Sequence, residues 1–439
     1  MLFHNRKTFF IILALVVLIV MFFPNQQSHS EQLIDINNAD TAWMIIASAL
    51  VLLMTPGLAF FYGGMVSKKN VISTMLQSFI ALGVISLVWV LFGFSLAFGD
   101  SVNGWGIIGN PSQFAILNNL DSHNSNIPYL LFALFQLKFA IITPAIITGS
   151  FAERIRFRSY LLFMILFCIF IYTPLAHMTW ASEGLFANLG DLIGGSYKGL
   201  HVLDFAGGTV VHMSAGLAAL AGALYLGKRK KEKTEPANIP YVILGTGLLW
   251  FGWFGFNAGS ALAANYDAVI AFANTNIASA SSMITWVLFD RFLNKKISAV
   301  GACLGAIIGL VAITPAAGYV TISHSIVIGF ITALVCNLSI ISIKKSKKID
   351  DTLDVFASHG IGGICGMILT AIFAKEVGLV YGEVNTFILH IGATITVILF
   401  AFFGSLLIYK VVDYILPIRV REDQEERGLD LSQHGEEIN

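Results

Sequence analysis

The chain has 439 residues, of which 56 % are apolar and 12 % charged, with 26 basic residues balanced by 26 acidic ones. So few charges cannot clothe a water-facing surface of this size, and the composition gives no basis for disorder or for nucleic-acid binding. Cys168, Cys303, Cys336 and Cys365 lie singly in apolar runs, which signals neither a disulfide framework nor a zinc site. The chain reads as an all-α polytopic membrane protein.

In chain order, Arg6 and Lys7 come first, then an apolar run over 9–23 that Pro24 ends, with Ser28 and Ser30 beyond it. The pattern predicts a secretory signal peptide over residues 1–30, with an uncleaved anchor helix as the alternative. Uncharged stretches of membrane-spanning length then recur; a span takes about 20 residues for a core of about 30 Å. Spans are expected near 42–65, 71–98, 128–150, 159–180, 204–226, 240–263, 268–290, 298–315, 322–343, 352–374 and 385–410. The long run over 297–343 holds two of them, with Thr314-Pro315-Ala316-Ala317-Gly318 as the turn. This makes eleven transmembrane helices in a membrane domain over 31–416, followed by a cytoplasmic tail over 417–439.

Charge alternates between the connections. Seventeen basic residues fall in one set: Lys68 and Lys69; Arg154, Arg156 and Arg158; Lys228, Arg229, Lys230, Lys231 and Lys233; Arg291, Lys295 and Lys296; Lys344, Lys345, Lys347 and Lys348. The opposite set carries Lys198 and Lys375. The positive-inside rule puts the first set in the cytoplasm, the mature amino terminus outside and the tail inside.

Two halves echo each other. Ile142-Thr143-Pro144-Ala145 in span three matches Ile313-Thr314-Pro315-Ala316 in span eight. Span five opens with Asp204 and reaches His212 among glycines; span ten opens near Asp354 and reaches His359 among glycines. The paired spans cross in opposite directions, so the pattern predicts an inverted repeat of five plus five helices with one helix added. Such repeats are a transporter signature. Close packing of glycine-rich spans is a compatible reading.

His212 and His359 each lie eight residues from an aspartate at a span end, Asp204 and Asp351. At 1.5 Å per residue that is about 12 Å of depth, so both imidazoles approach the midplane. Two such imidazoles can relay a proton or bond a small polar solute. Asp204 suits either a cation at the entrance or a helix cap. Lys138 stands inside span three without an evident partner, while His177 and His390 read as structural. Trp180 closes span four, Phe139 stands near Pro144, and the run from Trp253 through Phe256 to Ser260 packs aromatic and small residues into the outer half of span six. Aromatic faces at an outer mouth can hold a cation without a carboxylate.

These residues resemble the ammonium transporter (Amt/Mep/Rh) family, in its bacterial Amt branch. The stretch Asp204-Phe205-Ala206-Gly207-Gly208-Thr209-Val210-Val211-His212 is similar to the family signature, and the runs over 139–145, 252–260 and 312–316 with His359-Gly360 look like its other motifs. The resemblance implies a homotrimer of eleven-span protomers in the inner membrane, each with its own pore and without a cofactor or metal. It implies an outer substrate site of Phe139, Trp180, Ser260 and Asp204, a gate of Phe139 and Phe256, and a pore carrying His212, His359 and Thr314. The loop over 181–203 is longer than the pattern, which touches the rim of that site. The tail, with Gly428-Leu429-Asp430 before Ser432-Gln433-His434-Gly435-Glu436, is similar to the family's tail; this implies coupling to a PII-type nitrogen regulatory protein.

The expected activity is uptake of ammonium, which is captured at the mouth and deprotonated so that ammonia passes the pore. Two other classes are kept beside it: a membrane sensor that signals through the PII-type partner, and an intramembrane enzyme, for which neither a third metal ligand nor a nucleophile–base pair is evident.

Overall fold

The computed structural model describes residues 14–18, 20, 36–120, 126–230 and 235–438. Residues 14–18 and 20 are helical; the rest of the expected signal segment, with His123, Lys231 and Lys233, lies outside the described residues. Long helices dominate the described residues: α1 Asn38–Met65, α2 Lys68–Phe98, α3 Tyr129–Phe151, α4 Phe157–Trp180, α5 Gly208–Leu226, α6 Ile239–Gly259, α7 Tyr266–Phe292, α8 Ala299–Ala316, α9 Ile322–Ser346, α10 Phe356–Phe373 and α11 Val384–Ile415. All but α7 are long and apolar enough to cross a membrane, which makes 10 candidate spans.

The reason α7 falls short is internal. Asn274, Ser279 and Ser282 line its buried face and donate to the carbonyls of Ala317, Val320, Ala306 and Gly305. These side chains lower the helix's apolarity without meeting lipid.

Polar residues start the helices. Asn37, Asn238, Asn265, Ser298 and Thr321 accept N–H groups from the first turns of α1, α6, α7, α8 and α9. Each fills a donor that a helix start leaves unpaired. Small residues then let backbones meet: a Cβ on Gly245 of α6 would stand 2.3 Å from the Phe61 nitrogen of α1. α5 and α10 begin at Gly208 and Phe356, later than the spans expected from 204 and 352, because the residues before them form the aspartate-held turns described below. α11 continues past 410 to Ile415. Asp413 in its last turn receives the Tyr225 hydroxyl at 3.0 Å and the Ile418 N–H at 2.8 Å, so its charge does not end the helix early.

The tail is charged enough to read as a solvated end, yet it docks. A short helix, α12 Glu422–Arg427, follows α11. Asp430 accepts the N–H groups of Ile72 and Ser73 at 3.0 and 2.7 Å, which caps the opening of α2. Lys69 donates to the Glu425 and Glu426 carbonyls, the Leu429 N–H reaches Asn70, and Arg419 pairs with Glu425 at 2.9 Å. The Val420 N–H donates to the Arg154 carbonyl, and that of Arg156 donates to the Ile418 carbonyl. Arg419 also donates to the Lys228 carbonyl and the Lys230 N–H to Glu425, so the tail binds three of the connections that carry the basic residues.

Candidate functional site

Glycine builds the centre of the molecule. Gly216 lies four residues past His212, and Gly363 lies four past His359. A Cβ on Gly216 would stand 2.0 Å from the Gly360 nitrogen, and one on Gly363 would stand 3.1 Å from the Met213 nitrogen. Each helix therefore crosses the other against the residue that follows the partner histidine. Both histidines sit in π-helical turns, Gly208–Met213 and Phe356–Ile361, a geometry that recurs at functional sites. The outcome is a side-by-side pair with Nδ1 of His212 3.3 Å from Nδ1 of His359 and both side chains buried.

The surrounding donors set the protons. Thr314 donates its hydroxyl to the Leu310 carbonyl at 2.7 Å and accepts the Trp253 indole N–H at 3.0 Å. One lone pair remains, and His212 Nε2 lies 3.2 Å from it. His212 therefore donates from Nε2, and its bare Nδ1 accepts from Nδ1–H of His359. This leaves Nε2 of His359 as an acceptor, and His359 lines the same cavity as His212.

That cavity is otherwise apolar: Leu58, Phe61, Ile142, Ile146, Leu249 and Phe256 contribute to its wall. Towards one mouth, Phe256 lies over His212 at 5.9 Å and Phe139 covers Phe256 at 4.1 Å between ring centroids. Trp180 meets Phe139 edge-on at 6.0 Å. Ser260 caps α6 one turn beyond Phe256 and donates to its carbonyl at 2.9 Å, which leaves the hydroxyl oxygen free to accept. Phe139, Trp180, Phe256, Ser260, His212, His359 and Thr314 are thus brought together in one continuous arrangement.

Asp204 enters differently. Its Oδ1 accepts from the N–H groups of Gly207 and Gly208, and its Oδ2 from the N–H and hydroxyl of Thr209. A carboxylate offers about four lone-pair sites, and all are filled. Of the two readings open from sequence, the geometry is that of a cap, not of a carboxylate aimed at a cation. Asp204 still reaches the mouth through its backbone, since its carbonyl accepts the Trp180 indole N–H at 3.0 Å. Gly207, at φ +115°, provides the turn beneath that indole.

The remaining polar residues in the spans sort plainly. His177 contacts the Ala97 carbonyl at 3.1 Å. His390 accepts the Leu203 N–H at Nε2 and so donates from Nδ1 to the Met367 carbonyl. Lys138 is half-buried and makes no ion pair among the described residues. Among those residues no group of three or more His, Cys, Asp or Glu is placed to hold a metal ion.

Sequence reasoning missed Phe61 and passed over Trp253 as one aromatic among several. A signal was present. Gly57-Leu58-Ala59-Phe60-Phe61 runs parallel to Gly252-Trp253-Phe254-Gly255-Phe256, and Leu58, Phe61, Trp253 and Phe256 all line the cavity.

A bundle of membrane-length helices around a narrow apolar path, broken by a buried imidazole pair, defines a polytopic transporter. A family model described as Ammonium Transporter Family matches residues 42–438. An ammonium transporter of Bacillus subtilis is 46 % identical, covering 90 % of this chain and 97 % of its own, and one of Aquifex aeolicus is 43 % identical, covering 97 % and 98 %. Candida albicans Mep2 is similar in structure, with a TM-score of 0.80 at 33 % identity over 89 % of this chain and 88 % of its own. A protein described as a sensor Amt protein has a TM-score of 0.82 at 30 % identity over 90 % and 98 %. The chain belongs to the ammonium transporter family, a family of transporters and not of enzymes.

Proposed function

We propose that the protein takes up ammonium by capturing the ion at the aromatic mouth and passing ammonia along the imidazole pair. The observation that carries this reading is the sequence of contacts from Trp180 through the close, tilted rings of Phe139 and Phe256 to His212 and His359. Ammonium and potassium are alike in size and charge. An apolar path rejects both, because taking an ion out of water costs several kcal/mol even after relaxation. Ammonium can leave a proton behind and cross as neutral ammonia; potassium cannot. At the mouth, Trp180 and Phe139 offer ring faces to the cation and Ser260 offers an acceptor. Asp204 acts by fixing Trp180 and the start of α5. The phenyl pair excludes water and hydrated ions, and beyond it Nε2 of His359 accepts an N–H of the passing molecule.

In this reading α7 is an eleventh span, and α1–α5 and α6–α10 are inverted repeats, supported by the reciprocal contacts of Gly216 and Gly363. The mature amino terminus is outside after removal of residues 1–30, and the tail over 417–439 is cytoplasmic. The protein assembles as a homotrimer in the inner membrane. A PII-type regulator binds the cytoplasmic face, where the tail ties together the loops of Lys69, Arg156 and Lys230. Truncation after Pro417 should lower transport or abolish inhibition by that partner. A sensor that signals without flux has less support, since the relatives at 46 % and 43 % identity are named transporters.

The test is flux in proteoliposomes. Purified protein should accelerate uptake of ammonium or methylammonium over empty vesicles and leave potassium uptake unchanged. Equal acceleration of potassium, or none of ammonium, overturns the reading.

A further inference from the structure

The openings of α5 and α10 share one plan and are finished differently. In both, an aspartate stands eight residues before the pore histidine and accepts from the turn that starts the helix. Asp204 is saturated, because the residue five positions on is Thr209, which supplies both its N–H and its hydroxyl. The corresponding position after Asp351 is Phe356. It donates its N–H to Oδ2 at 2.7 Å and has no hydroxyl to give. Asp351 Oδ1 is left buried with no hydrogen-bond partner, in a residue 7 % exposed. A buried acceptor left unpaired is costly and rare in folded proteins, so such a defect at a pore mouth asks for a purpose.

The surroundings do not supply the missing donor. Asp351 lines the wide vestibule at this end of the molecule, together with Asp354, Arg229 and Lys344. Lys344 of α9 is held by Asp354 at 2.7 Å. Arg229, from the connection after α5, is held by Asp350 and Glu153, each at 2.9 Å. Arg154, from the connection after α3, donates to the Ser150 and Asp350 carbonyls and to Thr352. Tyr62 of α1 gives its hydroxyl to the Ile146 carbonyl. None of these groups is hydrogen-bonded to Asp351 Oδ1; Arg154 Nε is buried without a partner, and Lys228 and Lys347 complete the cations of the vestibule wall.

We propose that Asp351 exchanges the proton with the substrate at this mouth, its Oδ1 being the atom that meets the nitrogen. Ammonia leaving the pore takes the proton from the Asp351 carboxylic acid. The O–H bond at Oδ1 breaks, an N–H bond forms on the nitrogen lone pair, and ammonium enters the vestibule. Hydronium from vestibule water restores the acid, and the steps reverse for flow in the other direction. Burial, and then repulsion from Asp354, raise this carboxyl from 3.8 to about 7 against the pull of the Phe356 and Val355 N–H groups and of Arg154. An acid in that range is matched to exchange near neutrality. The proposal deepens the transport reading and rests on it.

The test compares wild type with Asp351→Asn and Phe356→Thr in proteoliposomes, with methylammonium flux measured from pH 5 to 9 on both faces together. Asn keeps the acceptor for the Phe356 N–H but carries no exchangeable acid; Thr restores the hydroxyl that Asp204 enjoys. Wild-type flux should show a step with a midpoint near 7, absent in Asp351→Asn and moved to lower pH in Phe356→Thr. A profile of unchanged shape in both variants, whatever their absolute rates, overturns the proposal. Infrared titration of the purified proteins supplies a readout independent of flux. A protonated-carboxyl band titrating near pH 7 in wild type and missing in Asp351→Asn supports the proposal, and its absence from wild type overturns it. Wild type that carries no methylammonium at any pH refutes the transport reading instead.

Discussion

The two halves of the molecule build matching walls and then furnish them unequally. Leu58 and Phe61 of α1 stand where Trp253 and Phe256 stand in α6, and Thr143-Pro144 of α3 matches Thr314-Pro315 of α8. The difference lies in the polar atoms. Both threonines donate to the carbonyl four residues back, but Trp253 brings an indole N–H that Leu58 lacks, and Thr314 accepts it and meets His212 as well. Asp204 is fully paired and Asp351 is half paired. Where the motifs of the two halves match, the path has similar walls; where they differ, so do the polar atoms beside it.

The largest expected effect comes from breaking what the halves share. Gly216→Leu places a side chain on the Gly360 backbone, where a Cβ alone already stands 2.0 Å away. Its cost should exceed the ~1–3 kcal/mol of ordinary overpacking, because backbone cannot step aside as a side chain can. Folded protein should be lost in size-exclusion profiles. Gly83→Ala, where nothing lies within 4 Å of the added carbon, should behave as wild type.

Next in size is the contrast between the aspartates. Asp204→Asn turns an NH2 group towards donors that already fill both oxygens, and should destabilise by about 1–3 kcal/mol. Asp351→Asn has an unpaired Oδ1 position to receive the NH2 group. A carboxyl raised from 3.8 to about 7 by folding contributes stability below pH 4 that is lost as pH rises through 7. Asp351→Asn should therefore be neutral or stabilising at pH 8, and should flatten the pH dependence of the wild type. Thermal unfolding in detergent at pH 5 and pH 8 checks both variants. Similar losses in the two would remove the contrast.

The smallest effect belongs to the mouth. Trp180→Leu removes an aromatic face from the proposed capture site. A contact of ~1 kcal/mol corresponds to about a fivefold rise in the substrate concentration for half-maximal transport. Maximal rate should change less than this. Unchanged concentration dependence would show that the ring does not face the substrate.

The spans and the histidine pair were legible because each has a local signature: uncharged length and an intramembrane ionisable group. The pairing of Phe139 with Phe256 came from the family resemblance, not from spacing. Other features depend on partners that spacing does not reveal. Asp204 could be a cap or a cation ligand until four donors were found around it. Asp351 served only as a marker of depth, since its distinction lies in what residue 356 lacks. Phe61, Ile142 and Ile146 look like lipid-facing residues in sequence, and only the crossing of the helices turns them inward. The seat of the tail depends on Asp430 meeting the start of α2, far away along the chain.

The central claim is that substrate crosses as ammonia beside the two imidazoles. It is tested most directly by His359→Ala, which leaves the Thr314–Trp253–Leu310 bonds in place and removes the open acceptor. Ammonium and potassium fluxes should be measured with wild type and variant in the same proteoliposome preparation. The account predicts ammonium flux reduced or ammonium/potassium discrimination weakened in a protein that still elutes as a folded assembly. Unchanged flux and unchanged discrimination would contradict it.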